Sequence, residues 1–328
     1  MVNHAIVSKI LLASDFSDSA TLAQAYTEYL AATLKASVVV LHVSEPPSRA
    51  AAALKEERAI QVKLRTLQAN IGARAIPVSC HCSRGNPGEQ ILSVARRVDA
   101  DLIVMGVQGH THVPYGLLGA TAHTVTTDGP CPVMTVPLPR KAASPCMFAE
   151  PEAVMIRRIL APVDFSGPSL DSLECAIHFA HGLGAHLVLA HVLEPAHADW
   201  DLQRIQGAAS VRDEWERRLG DLGGVIKSLG LSTTCEIRTG FPPDSILAGA
   251  LQHQCDLIVM GTHGRRGREG PNVGSVAEAV LKQAICPVVT VKNPKFVPGG
   301  RPAIRAVLSG KHEDAPGETP DNISHHRP

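Results

Sequence analysis

The amino-acid sequence predicts an α/β protein: two tandem doubly wound domains, each built on a parallel sheet of five strands. Three observations carry this. The chain repeats its own motifs at a nearly fixed spacing, short apolar runs alternate with longer amphipathic stretches, and those runs are apolar on both faces.

The repeat sets the domain count. "ILLASDFSDSA" from Ile10 returns as "ILAPVDFSGPS" from Ile159, and "VLHVSEP" from Val40 returns as "LAHVLEP" from Leu189, both 149 residues on. "DLIVMGVQGH" from Asp101 matches "DLIVMGTHGR" from Asp256, and "CPVMTV" from Cys131 matches "CPVVTV" from Cys286, both 155 residues on. The change of offset places an insertion of about six residues in the second copy, between His197 and Leu231. The expected organisation is a first domain at 1–139, a proline-containing linker at 140–154, a second domain at 155–293 and a disordered tail at 294–328, where hydrophobic periodicity is lost.

Each element follows from its local pattern. In the first copy, strands are expected at Lys9–Ala13, Val38–Val43, Pro77–Cys82, Leu102–Met105 and Val133–Val136. "ASVVVLHV" and "DLIVMG" have no polar face, as a strand covered by helices on both sides requires. Arg49–Gln68 is a charged, alanine-rich amphipathic helix with a solvated face. The second copy gives strands at Arg158–Pro162, Leu187–Val192, Ser232–Arg238, Leu257–Gly261 and Val288–Val291. Its helices are expected at Ser169–Leu183, Asp201–Leu229, Asp244–His253 and Ser275–Ala284. Strand and helix alternate throughout, which is the pattern of crossover units.

Composition excludes several function classes. Lys+Arg and Asp+Glu both number 31 among 328 residues and aromatics make up 3%, so neither a basic field nor a stacking surface for nucleic acid exists. Eight irregularly spaced cysteines do not make a disulfide framework, and a reducing cytoplasm fits them. The opening residues lack a signal-peptide pattern, and no run reaches the roughly 20 apolar residues of a membrane span.

Ligands of doubly wound sheets sit beyond the carboxyl ends of the strands where strand order reverses. "MGTHGRRGREGPNVGSVAEAVL", from Met260, lies there. Gly261 ends an apolar run, and Gly264 and Gly267 permit positive φ and close approach of a ligand. "SVAE" reads as a capping box, the Ser275 hydroxyl meeting an early helix N–H and Glu278 reaching back. Gly274 and Ser275 then mark a helix N-terminus, which favours an anion such as phosphate, with Arg265, Arg266 and Arg268 supplying charge. The bland alternative is a glycine-rich surface loop with solvated arginines. The sequence has no Walker A loop and no G-x-G-x-x-G after the first strand. Asp164 would face the same crevice if strands one and four are neighbours, accepting from an exocyclic amine or a ribose hydroxyl; otherwise it caps the next turn.

These residues resemble the universal stress protein family, through "PVDFS" after strand one, "HV" ending strand two, and "MGTHGRRG…GSVAEAVLKQAICPVVTV". ATP-binding members of that family carry G-x2-G-x9-G-[ST]. The resemblance implies ATP or ADP in the crevice, with magnesium or manganese on the phosphates. It implies adenine near Asp164 and the Val192 backbone, Pro162 lining the base pocket, and ribose near Gly261. Phosphates would lie on Gly264, Gly274, Ser275 and the Val276 N–H, beside Arg265. It also implies a role in stress survival and side-by-side pairing through the closing strands, which the two halves could supply within one chain. Whether whole chains form a homodimer, and which proteins are partners, stays open.

The first copy departs from the pattern. Asp15, Val43, Gly106, Gly109 and Gly119 occupy equivalent positions, but Ala120 stands where the hydroxyl belongs and His123 replaces Glu278. Thr121 is a substitute cap one residue later, and His110 and His112 are substitute cations when protonated. This half is expected to bind nucleotide weakly or not at all.

No residue declares itself catalytic, and no metal site is expected. Cys80 and Cys82 would share one face of a strand as small buried hydrophobes, Cys131 and Cys286 lack a partnered base, and His42 and His191 read as satisfied core or crevice residues. Besides a nucleotide-binding regulator, two readings remain. One is a slow ATPase or nucleotidyl or phosphoryl transferase, for which Glu269 is the only carboxylate in the loop; the other is a scaffold that binds no nucleotide.

Overall fold

The structure, a computed structural model, describes residues 7–44, 50–108, 118–138, 154–194, 208–264 and 273–292; of 50–54 and 208–210 only the backbone is described. The first half comprises β1 (Lys9–Ala13), α1 (Asp18–Leu34), β2 (Ser37–Ser44), α2 (Ala50–Gly72), β3 (Val78–Arg84), α3 (Pro87–Val98), β4 (Leu102–Gly106), α4 (Ala120–Asp128) and β5 (Val133–Val136). The second repeats the order as β6 (Arg158–Pro162), α5 (Gly167–Leu183), β7 (His186–Leu193), α6 (Ala208–Ser228), β8 (Thr233–Thr239), α7 (Pro242–Gln252), β9 (Leu257–Gly261), α8 (Ser275–Gln283) and β10 (Val288–Val291). The expected linker at 140–154, apart from residue 154, and the expected tail at 294–328 lie outside the described residues.

Each half is the predicted doubly wound unit, and the two sheets are continuous. The strand order is β3-β2-β1-β4-β5-β10-β9-β6-β7-β8. Within each half the pairings are parallel, and the β5–β10 junction is antiparallel, with Met134 opposite Val289. Both of those side chains are fully buried. The Thr135 hydroxyl donates to the Val288 carbonyl and the Thr290 hydroxyl to the Val133 carbonyl, each at 3.3 Å, so the seam is pseudo-symmetric. Lys292 adds a third tie, donating to the Thr127 carbonyl at 2.6 Å near the carboxyl end of α4, where a cation suits the helix dipole.

The elements form where their ends are satisfied. Ser17 caps α1 by accepting from the Ala20 N–H, and Ser166 caps α5 from Ser169. Asn86 caps α3 from Glu89 with Pro87 in the first turn. Lys35, Asp99 and Gly184 close α1, α3 and α5 in the left-handed conformation. Cores lie on the α3–α4 face (Leu11, Leu41, Ile103, Val125) and its counterpart in the second half (Leu160, Val188, Ile258, Val280). Leu118, just before α4, packs against both clusters.

The insertion also becomes narrower. The Cys80 thiol meets the Leu64 carbonyl and the Cys235 thiol meets the Leu219 carbonyl, so α2 and α6 are already in the 155-residue register. The offset therefore changes after β7 and before Leu219, a stretch that includes the undescribed 195–207. Cys82 corrects one expectation: it is exposed on the edge strand rather than buried. Cys131 and Cys286 are buried, and burial pushes the Cys286 thiol well above the ordinary thiol range.

Candidate functional site

In each half the strand order reverses between the first and fourth strands, and β6 and β9 are direct neighbours. Asp164, two residues beyond β6, and Gly261, the last residue of β9, therefore open onto one crevice. Pro162, Asp164 and Val192 are half-buried, with Pro162 in register with Ala190 on β7.

The exit from β6 is strained. Phe165 has φ +62°, and Phe16 after β1 has the same value. A bulky residue in the left-handed region costs about 1–3 kcal/mol and persists only where neighbours over-determine it. Here Asp164 Oδ1 accepts from both the Ser166 N–H, at 2.9 Å, and the Ser166 hydroxyl. Phe165 packs edge-on to His191, whose ring stacks on Trp215 at 4.5 Å between centroids, and Arg218 lies 5.0 Å over the indole. His191 Nδ1–H donates to the Val163 carbonyl at 2.6 Å, so this buried imidazole is a strut for the turn. In the first half Asp15 accepts from Ser17, Phe16 stacks on His42, and His42 donates to the Ser14 carbonyl. The stack was not foreseen, because Trp215 lies far from the motif in sequence.

Of the two expectations for Gly264, positive φ and close approach, the structure bears out only close approach, and Gly261 and Gly274 are likewise closely packed. Gly264 is outside the left-handed region, but a Cβ there would stand 2.6 Å from Asp164 Oδ2. A Cβ at Gly261 would stand 2.9 Å from the Pro168 carbonyl oxygen, and one at Gly274 2.9 Å from the Thr262 carbonyl oxygen. Asp164, Gly264, His263 and Gly274 are thus brought together, and the Gly274 N–H closes the loop onto the Thr262 carbonyl at 2.8 Å. Arg265, Arg266, Gly267 and Arg268 lie outside the described residues.

The capping box is not formed. Gly274 is the N-cap of α8 and makes no side-chain cap bond, which moves Ser275 inside the helix and Glu278 one place too far along. Glu278 instead pairs with Lys282 at 2.6 Å. Among described helix starts, α1, α3 and α5 have side-chain caps and α7 opens on Pro242 and Pro243. Only α4 and α8 begin at a glycine with neither device. The N–H groups of Ser275, Val276 and Ala277 have no helical acceptor, while that of Glu278 bonds the Gly274 carbonyl. Ser275 is exposed and Val276 half-buried.

The first half keeps this frame more loosely. Gly119 caps α4, and its N–H reaches the Val107 carbonyl at 3.4 Å. A Cβ at Gly106 would meet the Ser19 hydroxyl on α1, Val43 and Thr121 are half-buried, and N-cap Gly119 makes no side-chain cap bond. Gly109, His110 and His112 lie outside the described residues. Among the described residues no group of three or more His, Cys, Asp or Glu is placed to hold a metal ion.

Comparison with known proteins settles the family. The model of the universal stress protein family matches the chain twice, at residues 7–137 and 155–292. The chain belongs to the universal stress protein family. As a tandem member it is similar to a universal stress protein of Methanocaldococcus jannaschii, 32% identical over 148 residues, 43% of this chain and 85% of that relative. A universal stress protein of Mycobacterium tuberculosis is 25% identical over 235 residues, 70% of each chain. The crystal structure of a universal stress protein from Archaeoglobus fulgidus shares the fold, with a TM-score of 0.66 at 23% identity over 87% of this chain and 98% of that one. No described helix is long and apolar enough to cross a membrane.

Proposed function

We propose that the chain binds an adenine nucleotide, ATP or ADP, mainly in its second half, and acts as a regulatory protein of the stress response. The observation that carries this reading is the bare start of α8. The first three N–H groups of α8 have no helical acceptor and no cap from Gly274, whereas α1, α3 and α5 carry a side-chain cap and α7 opens on prolines. Such an end favours a multiply charged anion. Asp164 Oδ2, against Gly264, is the acceptor proposed for the base or ribose, with Pro162 and Val192 beneath the base and Gly261 near the ribose. Phosphates are assigned to Ser275 and Val276, with Gly264, Gly274 and Arg265 around them. Because the Gly274 N–H already bonds Thr262, that glycine serves by letting the loop close. A magnesium or manganese ion would come with the phosphates.

The first half, with Asp15, Val43, Gly106, Gly109, Gly119 and Thr121, is proposed as the weaker site, since Ala120 offers no hydroxyl and its loop closure is longer. Family membership and the free cysteines support a stress role in a reducing cytoplasm. Pairing of the halves through β5 and β10 gives nucleotide occupancy a route to act within one chain.

Thermal denaturation with and without ATP tests this. Ligand at 100 times its Kd stabilises by about 2.7 kcal/mol. The expected result is such a rise for the wild type and a much smaller one at the same concentration for Ser275→Ala. A melting temperature indifferent to millimolar ATP and ADP would leave the scaffold reading standing.

A further inference from the structure

The loop after β9 contains a polar atom without a partner. His263 Nε2 is shielded from water and has no hydrogen-bond partner among the described residues. Its other ring nitrogen is engaged: Thr262 Oγ1 lies 2.9 Å from His263 Nδ1. Thr262 is itself buried, so this hydroxyl fixes the ring. When the hydroxyl donates to Nδ1, the proton of a neutral imidazole must sit on Nε2, leaving a directed N–H donor.

A buried donor left unsatisfied costs about 1–3 kcal/mol, and such groups call for an explanation. Position supplies one. His263 lies between Gly261, at the strand end, and Gly274, at the start of α8, and its Cα is 3.7 Å from where a Gly274 Cβ would stand. The first half carries Val107 and Gln108 at these two places, lacking hydroxyl and imidazole together, and it also lacks the serine hydroxyl at Ala120. The pair therefore tracks the half that has the fuller anion site.

We infer that His263 is a ligand-binding residue of the second half, donating from Nε2 to a phosphate oxygen, and that Thr262 is its positioning residue. This rests on the nucleotide reading above. Bound phosphate satisfies the stranded donor, and the hydroxyl holds the tautomer that makes donation possible.

The test uses the full-length chain with ATP and adenosine as probes, measuring affinity by calorimetry and the imidazole by nitrogen-15 NMR. His263→Leu is expected to weaken ATP about tenfold while leaving adenosine affinity unchanged and ligand-free stability equal or higher. Thr262→Val, which copies the first half, is expected to give a smaller ATP loss. In the wild type, ATP should shift the Nε2 resonance and slow exchange of its proton. Equal ATP affinity in wild type and His263→Leu, or an Nε2 signal blind to ATP, overturns the inference while leaving nucleotide binding intact. A wild type that binds neither probe overturns the parent reading instead. Should His263→Leu fail to fold, Thr262→Val and the NMR signal decide.

Discussion

At the scale of single residues, the site is organised by the absence of side-chain atoms. A methyl added at Gly264 would meet Asp164, one at Gly261 the Pro168 carbonyl and one at Gly274 the Thr262 carbonyl. Gly264→Ala is the sharpest case, because the other oxygen of Asp164 is already fixed by Ser166. Overpacking of this kind costs about 1–3 kcal/mol. Urea denaturation should show that loss, and ATP affinity should fall with it; an unchanged midpoint would mean that the carboxylate moves aside freely. The sequence made Asp164 and the glycines legible because their spacing is local and repeats. His263 and Trp215 were hidden, since a stranded nitrogen and a stack between distant elements exist only after folding. The capping box misread the local pattern by one residue. Closing the loop onto Thr262 makes Gly274 the cap, and Ser275 becomes the first residue of the helix instead of its cap.

Helices and strands fell close to their expected bounds where end signals agree. The α5 helix ends at the expected Leu183 but starts two residues before the expected Ser169, behind its Ser166 cap, and strands such as β1, β5, β6, β9 and β10 match the apolar runs residue for residue. The α7 start is different, because Phe241 occupies the cap position, makes no cap bond and is 67% exposed. Its counterpart in the first half is Asn86, which does cap α3. Phe241→Asn should therefore stabilise the protein by about 1 kcal/mol, seen as a higher melting temperature in calorimetry. A fall would show that the phenyl ring contributes contacts worth more than a cap. The expected start of this helix, Asp244, falls two residues late, and periodicity does not reveal which residue fills the cap.

For the whole molecule, the repeat predicted two five-stranded halves, and the structure joins them into one sheet. Which edges meet is not written in either copy's pattern; it depends on the fit of β5 to β10 and was suggested only by family resemblance. Val289 lies fully buried at this seam opposite Met134. Val289→Asp should cost more than about 3 kcal/mol by burying an unpaired charge, with separate unfolding of the halves visible by calorimetry. A variant retaining one sharp transition near the wild-type temperature would show the seam to be dispensable. Because both partners of β5 and β10 belong to one polypeptide, each meets the other at an effective concentration on the order of millimolar. Dilution in a sparsely expressing cell cannot part them, and a serine-bearing half is always matched with an alanine-bearing one, a fixed inequality that identical subunits could not maintain.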